Sequence, residues 1–451
     1  MLAFAYRLLT DLSAPFIGLY LWKRRRQGRE DATRFGERFG RTSRPRPSGN
    51  LIWCHAASVG EAASILALLR RLRALYPATH ILVTTGTVTS AKMLETRLPE
   101  GAFHQYVPVD RAAYVERFLD HWKPDFALLI ESELWPNLLD ALRKRLIPAT
   151  LLNGRMSDKS FRRWYRAKTW ARELMGAFVL CLTQTEDERG RFVALGARPA
   201  RAIGNLKYAA DPLPADEKEL GRLKELLGRR PAWLMASSHR GEEDIACAAH
   251  KRLRVSWPDM LTVIVPRHAR RGEEIARLIA EQGLRCARRS QAEDIAPGTD
   301  IYLADTMGEL GLFYRLCPIA VIGGSFVRHG GHNPIEPAQL GCAIIFGPYM
   351  QNFAAIARDF TRADGALGLQ GAGELAFTLD RLLQSPGERV QMARAARFLA
   401  EDKGHVLDQV MDALAPWIDP RAEGRDRGPG NRQAHRASLS PSFLEERKQQ
   451  A

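Results

Sequence analysis

Short apolar runs alternate with longer amphipathic segments along most of the chain. In the first half the apolar runs cover residues 51–54, 80–86, 103–110, 125–131, 149–153 and 178–183. In the second half they cover residues 232–238, 261–267, 300–305, 318–325 and 343–348. Runs this short and apolar are typical of strands that are buried on both faces. Strands that alternate with helices predict two α/β domains, each built on a doubly wound parallel sheet.

The segments between these runs have helical periodicity. After the first run, apolar residues recur three and four positions apart until Pro77 ends the pattern (Ile65, Leu68, Leu69, Leu72, Leu75). The alternation pauses at Asp211-Pro212-Leu213-Pro214, a Pro-rich stretch that predicts a domain linker. We therefore expect an N-terminal domain over residues 27–210 and a C-terminal domain over 211–418. Two such domains favour a ligand site in the cleft between them.

Both ends of the chain depart from this alternation. Residues 2–22 are mostly apolar and are followed by four basic residues, 23–26. About 20 apolar residues suffice to span a bilayer, and the basic cluster would keep the following chain in the cytoplasm. We predict that residues 1–26 are a membrane anchor helix with a basic flank, which either spans the bilayer or lies in its interface. Residues 419–451 are rich in Gly, Pro and Arg without apolar periodicity, which predicts a disordered tail.

Composition narrows the class of partner. The contents of 45% hydrophobic and 26% charged residues are ordinary for a globular protein, but the net charge of +15 favours anionic partners. No zinc-finger spacing, RNP-type strand or basic-zipper pattern is present, so we do not expect nucleic acid to be the partner. The six cysteines are scattered without a C-x-x-C pair, which is typical of thiols in a reducing compartment. Oligomeric state is not readable from the sequence.

Polar residues occur repeatedly where the predicted strands end. In the first half these are Glu61, the Glu131-Ser132-Glu133 pair of carboxylates, and Asn153-Gly154-Arg155. In the second half they are Ser238-His239, Arg267-His268, Met307-Gly308-Glu309 and Gly323-Gly324-Ser325. Ligands of open parallel sheets bind beyond the carboxyl ends of the strands. The pattern therefore predicts a catalytic site, in which Glu131 and Glu133 would share a face if their strand continued past residue 131.

Glu61 has two interpretations. Ser58-Val59-Gly60-Glu61 matches the S-x-x-E capping box, in which the two side chains satisfy backbone donors at a helix start. Alternatively, the carboxylate acts as a catalytic base while Ser58 caps the helix through its own hydroxyl. In that case we expect Glu61 to point into the cleft, away from the Ser58 amide. We also expect the helix N-terminus to lower the pKa of Glu61.

The stretch GGSFVRHGGHNPIEPA, residues 323–338, indicates a ligand site. Glycines let the backbone approach a ligand closely, and Asn333-Pro334 predicts the start of a short helix with Pro334 in its first turn and with exposed amides. Glu336 would lie in its first turn, where it could accept ribose hydroxyls. The plainer alternative is a tight turn with a helix cap. We expect His329 and His332 to be hydrogen-bonding groups, since no compact metal-binding spacing occurs. A phosphate-binding P-loop and a strand-linked G-x-G-x-x-G are also missing.

Several of these motifs, in this order, resemble those of 3-deoxy-D-manno-octulosonic acid (Kdo) transferases: HAASVGE, IESELWPN, LNGRMSDKS, GNLKY, SSHRGEE, VPRH, DTMGELG and the stretch 323–338. The resemblance extends from the N-terminal segment to about residue 415. It implies a GT-B glycosyltransferase, with two Rossmann-like domains that face a cleft. The first domain would bind the acceptor and the second the nucleotide sugar. The implied donor is CMP-Kdo, and the implied acceptor is the tetraacylated, bisphosphorylated lipid A precursor.

The resemblance also implies residue roles and a location. Glu61 corresponds to the general base, and Glu131 and Lys207 correspond to residues that stabilise the transition state. The implied CMP contacts are Pro266, Arg267, Met307, Gly308, Glu309, Asn333, Pro334, Ile335 and Glu336. No metal or other cofactor is expected, because basic side chains can offset the charge on the leaving group. The implied location is the cytoplasmic face of the inner membrane of Gram-negative bacteria, in contact with its lipids.

Two alternatives follow from the same residues. One is another enzyme of the same fold, such as a UDP-sugar transferase or a sugar-nucleotide epimerase. The other is a membrane-anchored basic module that binds anionic lipid or nucleic acid without catalysis. The second alternative leaves the carboxylates at the strand ends unexplained.

Overall fold

A computed structural model describes residues 2–418, which form two compact units. Unit 1 comprises residues 2–210 and 404–418, and unit 2 comprises Asp211–Lys403. The strands are β1 (Leu51–His55), β2 (His80–Thr85), β3 (Ala102–Tyr106), β4 (Phe126–Ile130), β5 (Ala149–Gly154), β6 (Phe178–Thr183), β7 (Ala200–Ala202), β8 (Ala232–Ser238), β9 (Leu261–Pro266), β10 (Cys286–Arg288), β11 (Ile301–Leu303), β12 (Ile319–Ile322), β13 (Ala343–Phe346) and β14 (Ala366–Gly368).

The helices pack on these strands. In unit 1 they are α1 (Leu2–Leu12), α2 (Ala14–Arg26), α3 (Val59–Ser64), α4 (Leu66–Leu75), α5 (Val88–Glu95), α6 (Ala112–Trp122), α7 (Pro136–Lys144), α8 (Asp158–Arg166), α9 (Lys168–Met175) and α10 (Glu186–Ala194). Unit 2 contains α11 (Glu217–Leu227), α12 (Glu242–Leu253), α13 (Gly272–Glu281), α14 (Leu310–Leu316), α15 (Ile335–Gln339), α16 (Ala354–Arg362), α17 (Leu375–Gln384) and α18 (Pro386–Asp402). The chain then returns to unit 1 with α19 (Val406–Ile418).

Each unit contains a seven-stranded sheet whose pairings are all parallel. The order is β3-β2-β1-β4-β5-β6-β7 in unit 1 and β10-β11-β9-β8-β12-β13-β14 in unit 2. The strand order therefore reverses between β1 and β4 in the first sheet and between β8 and β12 in the second. Such reversal points are where ligands bind in doubly wound folds. This architecture confirms the predicted fold class of two Rossmann-like domains.

Apolar layers cover both faces of each sheet. Alternate residues of β1 belong to different layers, since Leu51 and Trp53 pack with α6 and α7 whereas Ile52 and Cys54 pack with α4 and α19. Strand β8 divides in the same way, with Trp233 on one side and Leu234 on the other. Burial on both faces explains why the central strands are continuous apolar runs. The six cysteines form no disulfide, and all except Cys286 are buried.

The structure differs from the predicted elements at several places. Three three-residue strands, β7, β10 and β14, were missed; each lies at an edge of its sheet and lacks a long apolar run. The first predicted helix is interrupted at Ile65, which separates α3 from α4. Strand β4 ends at Ile130, so Glu131 and Glu133 are not on one face of a continuing strand.

The expected second domain, 211–418, differs from the structure at its C-terminal end. Residues 404–418 belong to unit 1, whereas the other boundary falls between Ala210 and Asp211 as predicted. The reason is apolar packing: Val410 and Leu414 of α19 are fully buried in the layer that contains Ile52 and Leu68. The predicted disordered tail, 419–451, lies outside the described residues.

The predicted membrane segment consists of two helices rather than one. Helices α1 and α2 meet at a bend of 55°. Among residues 2–418 no single helix has the length and hydropathy of a membrane span, although this bent pair does when its two helices are taken together.

Candidate active site

The reversal point of the first sheet gathers the predicted catalytic residues of unit 1. Glu61 lies in the first turn of α3, which follows β1. Glu131 and Glu133 lie in the loop that follows β4, the strand next to β1. Asn153 lies near the end of β5. Because these strands are adjacent and parallel, their carboxyl ends bring the three loops together at one edge of the sheet.

Glu61 is hydrogen-bonded, but not as a standard capping box. Its backbone N–H donates to the Ser58 hydroxyl at 3.3 Å, so Ser58 caps α3 as expected. The carboxylate accepts from the Ser58 hydroxyl at 2.8 Å and from the Ala57 amide at 2.8 Å, and not from the Ser58 amide. The carboxylate thus does not accept from the Ser58 amide, as expected, but it is held by the Ala57 amide one residue earlier and by the Ser58 hydroxyl. Each carboxylate oxygen still has a lone pair that these bonds leave free.

The electrostatics of Glu61 differ from the expectation. We predicted that the helix N-terminus would lower its pKa, but the pKa is raised. Partial burial of the side chain is the largest cause, and the negative charges of Glu131 and Glu133 raise the pKa further. The hydrogen bonds from Ser58 and Ala57 oppose this shift. A carboxylate with a raised pKa is a stronger base than an ordinary glutamate.

Glu131 and Lys207 form an ion pair. Lys207 Nζ lies 2.9 Å from Glu131 Oε1, and both side chains are about 15% exposed or less. Glu131 has a φ of 61°, a left-handed conformation that costs a non-glycine residue on the order of 1–3 kcal/mol. This conformation turns the chain at the end of β4. Strain that the surrounding structure sustains at a strand end is characteristic of functional sites.

A network of amide side chains holds Lys207 in place. Asn153 Oδ1 accepts from the Leu206 amide at 3.0 Å, and Asn205 Oδ1 accepts from the Lys207 amide at 3.0 Å. The short 3-10 helix Leu206–Ala209 is further anchored because Leu206 and Tyr208 are buried. The motifs around Asn153 and Asn205 therefore position the lysine that pairs with Glu131.

The reversal point of the second sheet gathers the predicted nucleotide-binding segments of unit 2. Glycine is required at residue 323, since an added Cβ would lie 2.3 Å from the Ser237 carbonyl oxygen. Ser237 itself has a φ of 60°, and His239 begins the loop after β8, which ends at Ser238. The loop after β12 and the loop after β8 therefore lie side by side.

Glu242 joins these two loops and was not identified from the sequence. The carboxylate is fully buried and accepts from the amides of His239 at 2.9 Å, Gly324 at 2.7 Å and Phe326 at 2.9 Å. The neighbouring Glu243 pairs with Arg271 at 2.7 Å and accepts from the Ser238 hydroxyl. The sequence contained one signal for part of this arrangement: a glutamate at a predicted helix start, three residues after His239, is typical of a helix cap. The long-range bonds to residues 324 and 326 had no local signal.

The predicted CMP-contacting residues are distributed over three loops of unit 2. Pro266 ends β9 and is buried, whereas Arg267 next to it is exposed and Met307 is 70% exposed. Gly308 has a φ of 89°, which permits the turn into α14. The Glu309 carboxylate forms an ion pair with Arg289 at 2.6 Å, and this contact lowers the pKa of Glu309.

The helix predicted at Asn333-Pro334 is α15, which starts at Ile335. Asn333 Oδ1 accepts from the Ile335 amide at 3.1 Å, while Asn333 Nδ2 donates to Glu336 Oε1 at 3.2 Å. Pro334 is the residue before the first turn rather than within it, and Glu336 is in the first turn as predicted. The cap and the ligand-site interpretations of this segment are therefore compatible.

Four histidines lie together at the same edge of the second sheet. His239 Nε2 is 2.9 Å from His332 Nε2, and the His239 ring stacks on His329 with centroids 3.7 Å apart. His268 meets His239 edge to face. Burial lowers the pKa of His239 to about 4 and that of His332 to about 3. These two rings are therefore neutral near pH 7, and no group of three or more potential ligands among residues 2–418 is arranged to hold a metal ion.

Similarity to known proteins defines the class of protein to which this chain belongs. A solved structure of UDP-GlcNAc 2-epimerase from Neisseria meningitidis bound to UDP-GlcNAc has a TM-score of 0.57 at 12% identity and covers 82% of this chain and 100% of its own. This likeness shows the GT-B fold alone. A family model described as 3-deoxy-D-manno-octulosonic-acid transferase matches residues 33–210. Fold and family together define a glycosyltransferase.

Two relatives extend the similarity over most of the chain. A probable mitochondrial 3-deoxy-D-manno-octulosonic acid transferase from Arabidopsis thaliana is 38% identical over 392 residues, which are 84% of this chain and 88% of the relative. The 3-deoxy-D-manno-octulosonic acid transferase of Haemophilus influenzae is 33% identical over 428 residues, 93% of this chain and 99% of the relative. This chain belongs to the Kdo transferase family.

Proposed function

We propose that this Kdo transferase uses CMP-Kdo as donor and the tetraacylated, bisphosphorylated lipid A precursor as acceptor, with Glu61 as general base, in lipopolysaccharide core biosynthesis. The observation that carries the proposal is the cluster at the β1–β4 reversal point. There a glutamate with a raised pKa lies near a second glutamate that is paired with Lys207. This arrangement provides a base and a fixed positive charge at one edge of the sheet.

The proposed chemistry is a displacement at the anomeric carbon of Kdo. An acceptor hydroxyl attacks that carbon and gives its proton to Glu61. The bond from the anomeric carbon to the phosphate oxygen breaks, and CMP leaves with the electron pair. A positioned base contributes about 10²–10⁴-fold to such a step. Lys207 and Arg267 supply positive charge that favours the transition state and the leaving group, so the scheme needs no metal.

The base is tested by Glu61→Gln, which keeps the shape of the side chain and removes its basicity. We expect kcat to fall by about 10²–10⁴-fold while the unfolding transition changes little. The measurement is product formation by mass spectrometry with CMP-Kdo and the lipid acceptor. Glu100→Gln is the matched control, because exposed Glu100 precedes β3 at the opposite end of the sheet. A nearly normal rate in folded Glu61→Gln protein would remove Glu61 from the mechanism.

The donor is tested separately by ligand-induced stabilisation. A ligand that binds only the folded state raises the melting temperature according to its affinity. We expect CMP to raise the melting temperature more than UDP at equal concentration. Preferential stabilisation by UDP would instead favour a UDP-sugar enzyme of the same fold.

We also propose that α1 and α2 bind the cytoplasmic face of the inner membrane by lying in its interface. Their exposed apolar side chains include Phe4, Leu9, Leu12, Phe16 and Leu19, each more than 60% exposed. The opposite side of α1 is held to unit 1 by polar contacts: Tyr6 to Asp110 at 3.0 Å, Arg7 to Glu116 at 3.1 Å and Asp11 to Arg111 at 2.9 Å. A helix with one such face and a basic flank suits an interface with anionic lipid.

Vesicle binding tests this proposal. Phe16→Glu with Leu19→Glu should strongly reduce co-sedimentation with anionic phospholipid vesicles, since charges would enter the acyl region. Val255→Glu, which alters a side chain that is 85% exposed in unit 2, is the control and should bind as well as the unchanged protein. Equal binding by all three proteins would contradict an interfacial role for α2.

A further inference from the structure

Helix α8 carries a row of cations that the proposed mechanism does not use. Lys159, Arg162, Arg163 and Arg166 follow one another at intervals that place them on one face of the helix. We call these four residues the basic stripe of α8. All four are exposed. Seven residues of α-helix rise about 10 Å, so the stripe presents four positive charges within that length.

The charges of the basic stripe are not neutralised within the chain. None of its four side chains forms an ion pair, a hydrogen bond or a ring contact with another residue between 2 and 418. The one acidic residue of α8, Asp158, is paired with Arg191 of α10 at 2.5 Å. The stripe therefore leaves four uncompensated positive charges on the surface of unit 1.

Other helices of the protein place opposite charges three or four residues apart. Examples are the pairs Asp140–Arg143 on α7, Glu273–Arg277 on α13 and Arg397–Glu401 on α18. Such pairs stabilise a helix, whereas like charges at the same spacing destabilise it. The basic stripe contains only like charges, so it destabilises α8 unless an anionic partner binds.

The opposite face of α8 is apolar and packs on unit 1. Phe161 and Trp164 contact the apolar layer that includes β1, α6 and α7. This packing fixes the orientation of the helix, with the basic stripe turned away from the core. Tyr165 is 48% exposed, and Lys168 Nζ lies 5.0 Å from the centre of its ring. A tyrosine beside cations is characteristic of segments that lie at a membrane surface.

Helix α8 lies near the helix that we assign to the membrane interface. Tyr6 of α1 contacts Trp170 of α9, with ring centroids 5.8 Å apart. Trp170 in turn contacts Trp164 of α8, with centroids 5.6 Å apart. Three aromatic rings thus connect α1 to the packed face of α8 within unit 1. The basic stripe is therefore close enough to α1 to meet the same lipid surface.

The mobility of these cations favours phospholipid headgroups over one tightly held anion. A site for a single oriented ligand fixes its side chains with supporting hydrogen bonds, which the basic stripe lacks. Clusters of four or more cations on an amphipathic helix are typical of contacts with anionic membranes. We propose that the basic stripe of α8 binds the phosphate groups of anionic phospholipids and is a second membrane contact of this chain. The proposal rests on the proposed location of α1 and α2 at the membrane.

Co-sedimentation of the full chain with vesicles at low salt tests the stripe. One variant combines Arg162→Gln, Arg163→Gln and Arg166→Gln, and the probes are phosphatidylcholine vesicles with and without phosphatidylglycerol. Each cation near an anionic surface contributes about fivefold in affinity. We therefore expect binding to the phosphatidylglycerol vesicles to fall on the order of 10²-fold, and binding to pure phosphatidylcholine vesicles to stay unchanged.

The matched control removes the same charge from unit 2. It replaces three exposed arginines by glutamine: Arg229, Arg252 and Arg394. This variant should bind the phosphatidylglycerol vesicles nearly as well as the unchanged protein. Equal losses in the two triple variants would show a dependence on net charge alone and would overturn the proposal.

Two further measurements separate lipid binding from a structural role. Lysine at positions 162, 163 and 166 keeps the charge and should keep most of the binding, so a loss as large as that of the glutamine variant would contradict the proposal. Without vesicles, the glutamine variant should unfold at the same urea concentration or a slightly higher one, because repulsion along α8 is removed. A clearly lower midpoint would assign the arginines to the stability of the fold and would overturn the proposal.

The membrane role of α1 and α2 is judged separately. Phe16→Glu with Leu19→Glu should reduce binding to both kinds of vesicle, whereas the glutamine variant of α8 should lose only the dependence on phosphatidylglycerol. If the α2 variant binds normally, the interfacial role of α2 fails, but a lost phosphatidylglycerol dependence in the α8 variant would still support the stripe. Unchanged vesicle binding by the α8 variant, with a raised KM for the lipid acceptor in detergent, would assign the stripe to the acceptor phosphates and overturn the membrane contact.

Discussion

At the scale of single residues, buried carboxylates organise both reversal points. Glu61 and Glu133 have a few polar partners each in unit 1, and Glu242 accepts three backbone amides in unit 2. A carboxylate that accepts several N–H bonds is a charged substitute for the backbone partners that a loop lacks. Glu61 and Glu242, which accept backbone amides, therefore each hold the path of a loop that follows a strand.

Glu242→Gln should destabilise unit 2. An amide group in place of one carboxylate oxygen leaves at least one of the buried amides of His239, Gly324 and Phe326 without an acceptor. The expected loss in unfolding free energy is about 1–3 kcal/mol, measured by urea denaturation. Binding of CMP should weaken in the same variant. Glu281→Gln, at an exposed position on α13, is the control, and equal midpoints for both variants would contradict this role.

At the scale of elements, Asp110 connects the start of α7 to α1. Its carboxylate accepts from the amides of Asn137 at 3.2 Å and Leu138 at 2.9 Å, as well as from the Tyr6 hydroxyl. Trp135, the residue before α7, provides no side-chain cap. Asp110 therefore replaces the missing local cap from a distant position in the chain.

Asp110 also makes stability depend on pH. Burial raises the pKa of Asp110 to about 6 from an ordinary value of 3.8. The folded state thus binds more protons than the unfolded state in this range, so stability from this group is present below about pH 4 and is lost as pH rises to about 6. The loss is on the order of 3 kcal/mol.

Comparison of Asp110→Asn with the unchanged protein measures this effect. We expect the variant to be nearly as stable as the unchanged protein at pH 4, where Asp110 is the neutral acid that Asn resembles, and to show a smaller decline in unfolding free energy from pH 4 to 6. Asp120→Asn, at an exposed position on α6, should follow the unchanged protein. Parallel curves for all three proteins would show that Asp110 does not titrate in this range.

At the scale of the whole molecule, unit 1 is completed by the last helix. Helix α19 contributes Val406, Val410, Met411, Leu414 and Ile418 to the apolar layer that also covers β1 and α4. The chain must therefore pass through all of unit 2 before the core of unit 1 is closed.

Leu414→Ala tests this closure. Leu414 is completely buried, and its truncation should cost about 2–5 kcal/mol of unfolding free energy. Hydrogen exchange should locate the loss in unit 1. Phe398→Ala, which removes a side chain that is 72% exposed on α18, should change stability by no more than about 0.5 kcal/mol. Faster exchange confined to unit 2 in Leu414→Ala would contradict the assignment of α19 to unit 1.

The interior strands were predictable because burial on both faces imposes a continuous apolar run. The same rule failed for β7, β10 and β14, since an edge strand of three residues needs little apolar sequence. Strand ends also predicted where Glu61, Glu131 and Asn153 would lie, because parallel strands share one carboxyl edge. The direction of the Glu61 pKa shift was not predictable from the sequence. It depends on burial and on the charges of Glu131 and Glu133, which are about 70 residues away in the chain.

Local sequence determined the two α/β units, the cap that Ser58 provides and the family to which this chain belongs, since each depends on periodicity or on contiguous motifs. Tertiary structure alone decided the partners of Glu61, the pairing of Lys207 with Glu131, the loop contacts of Glu242 and the return of α19 to unit 1. These features join residues that are distant in sequence. Their energies come from desolvation and from charges that meet only after the chain has folded.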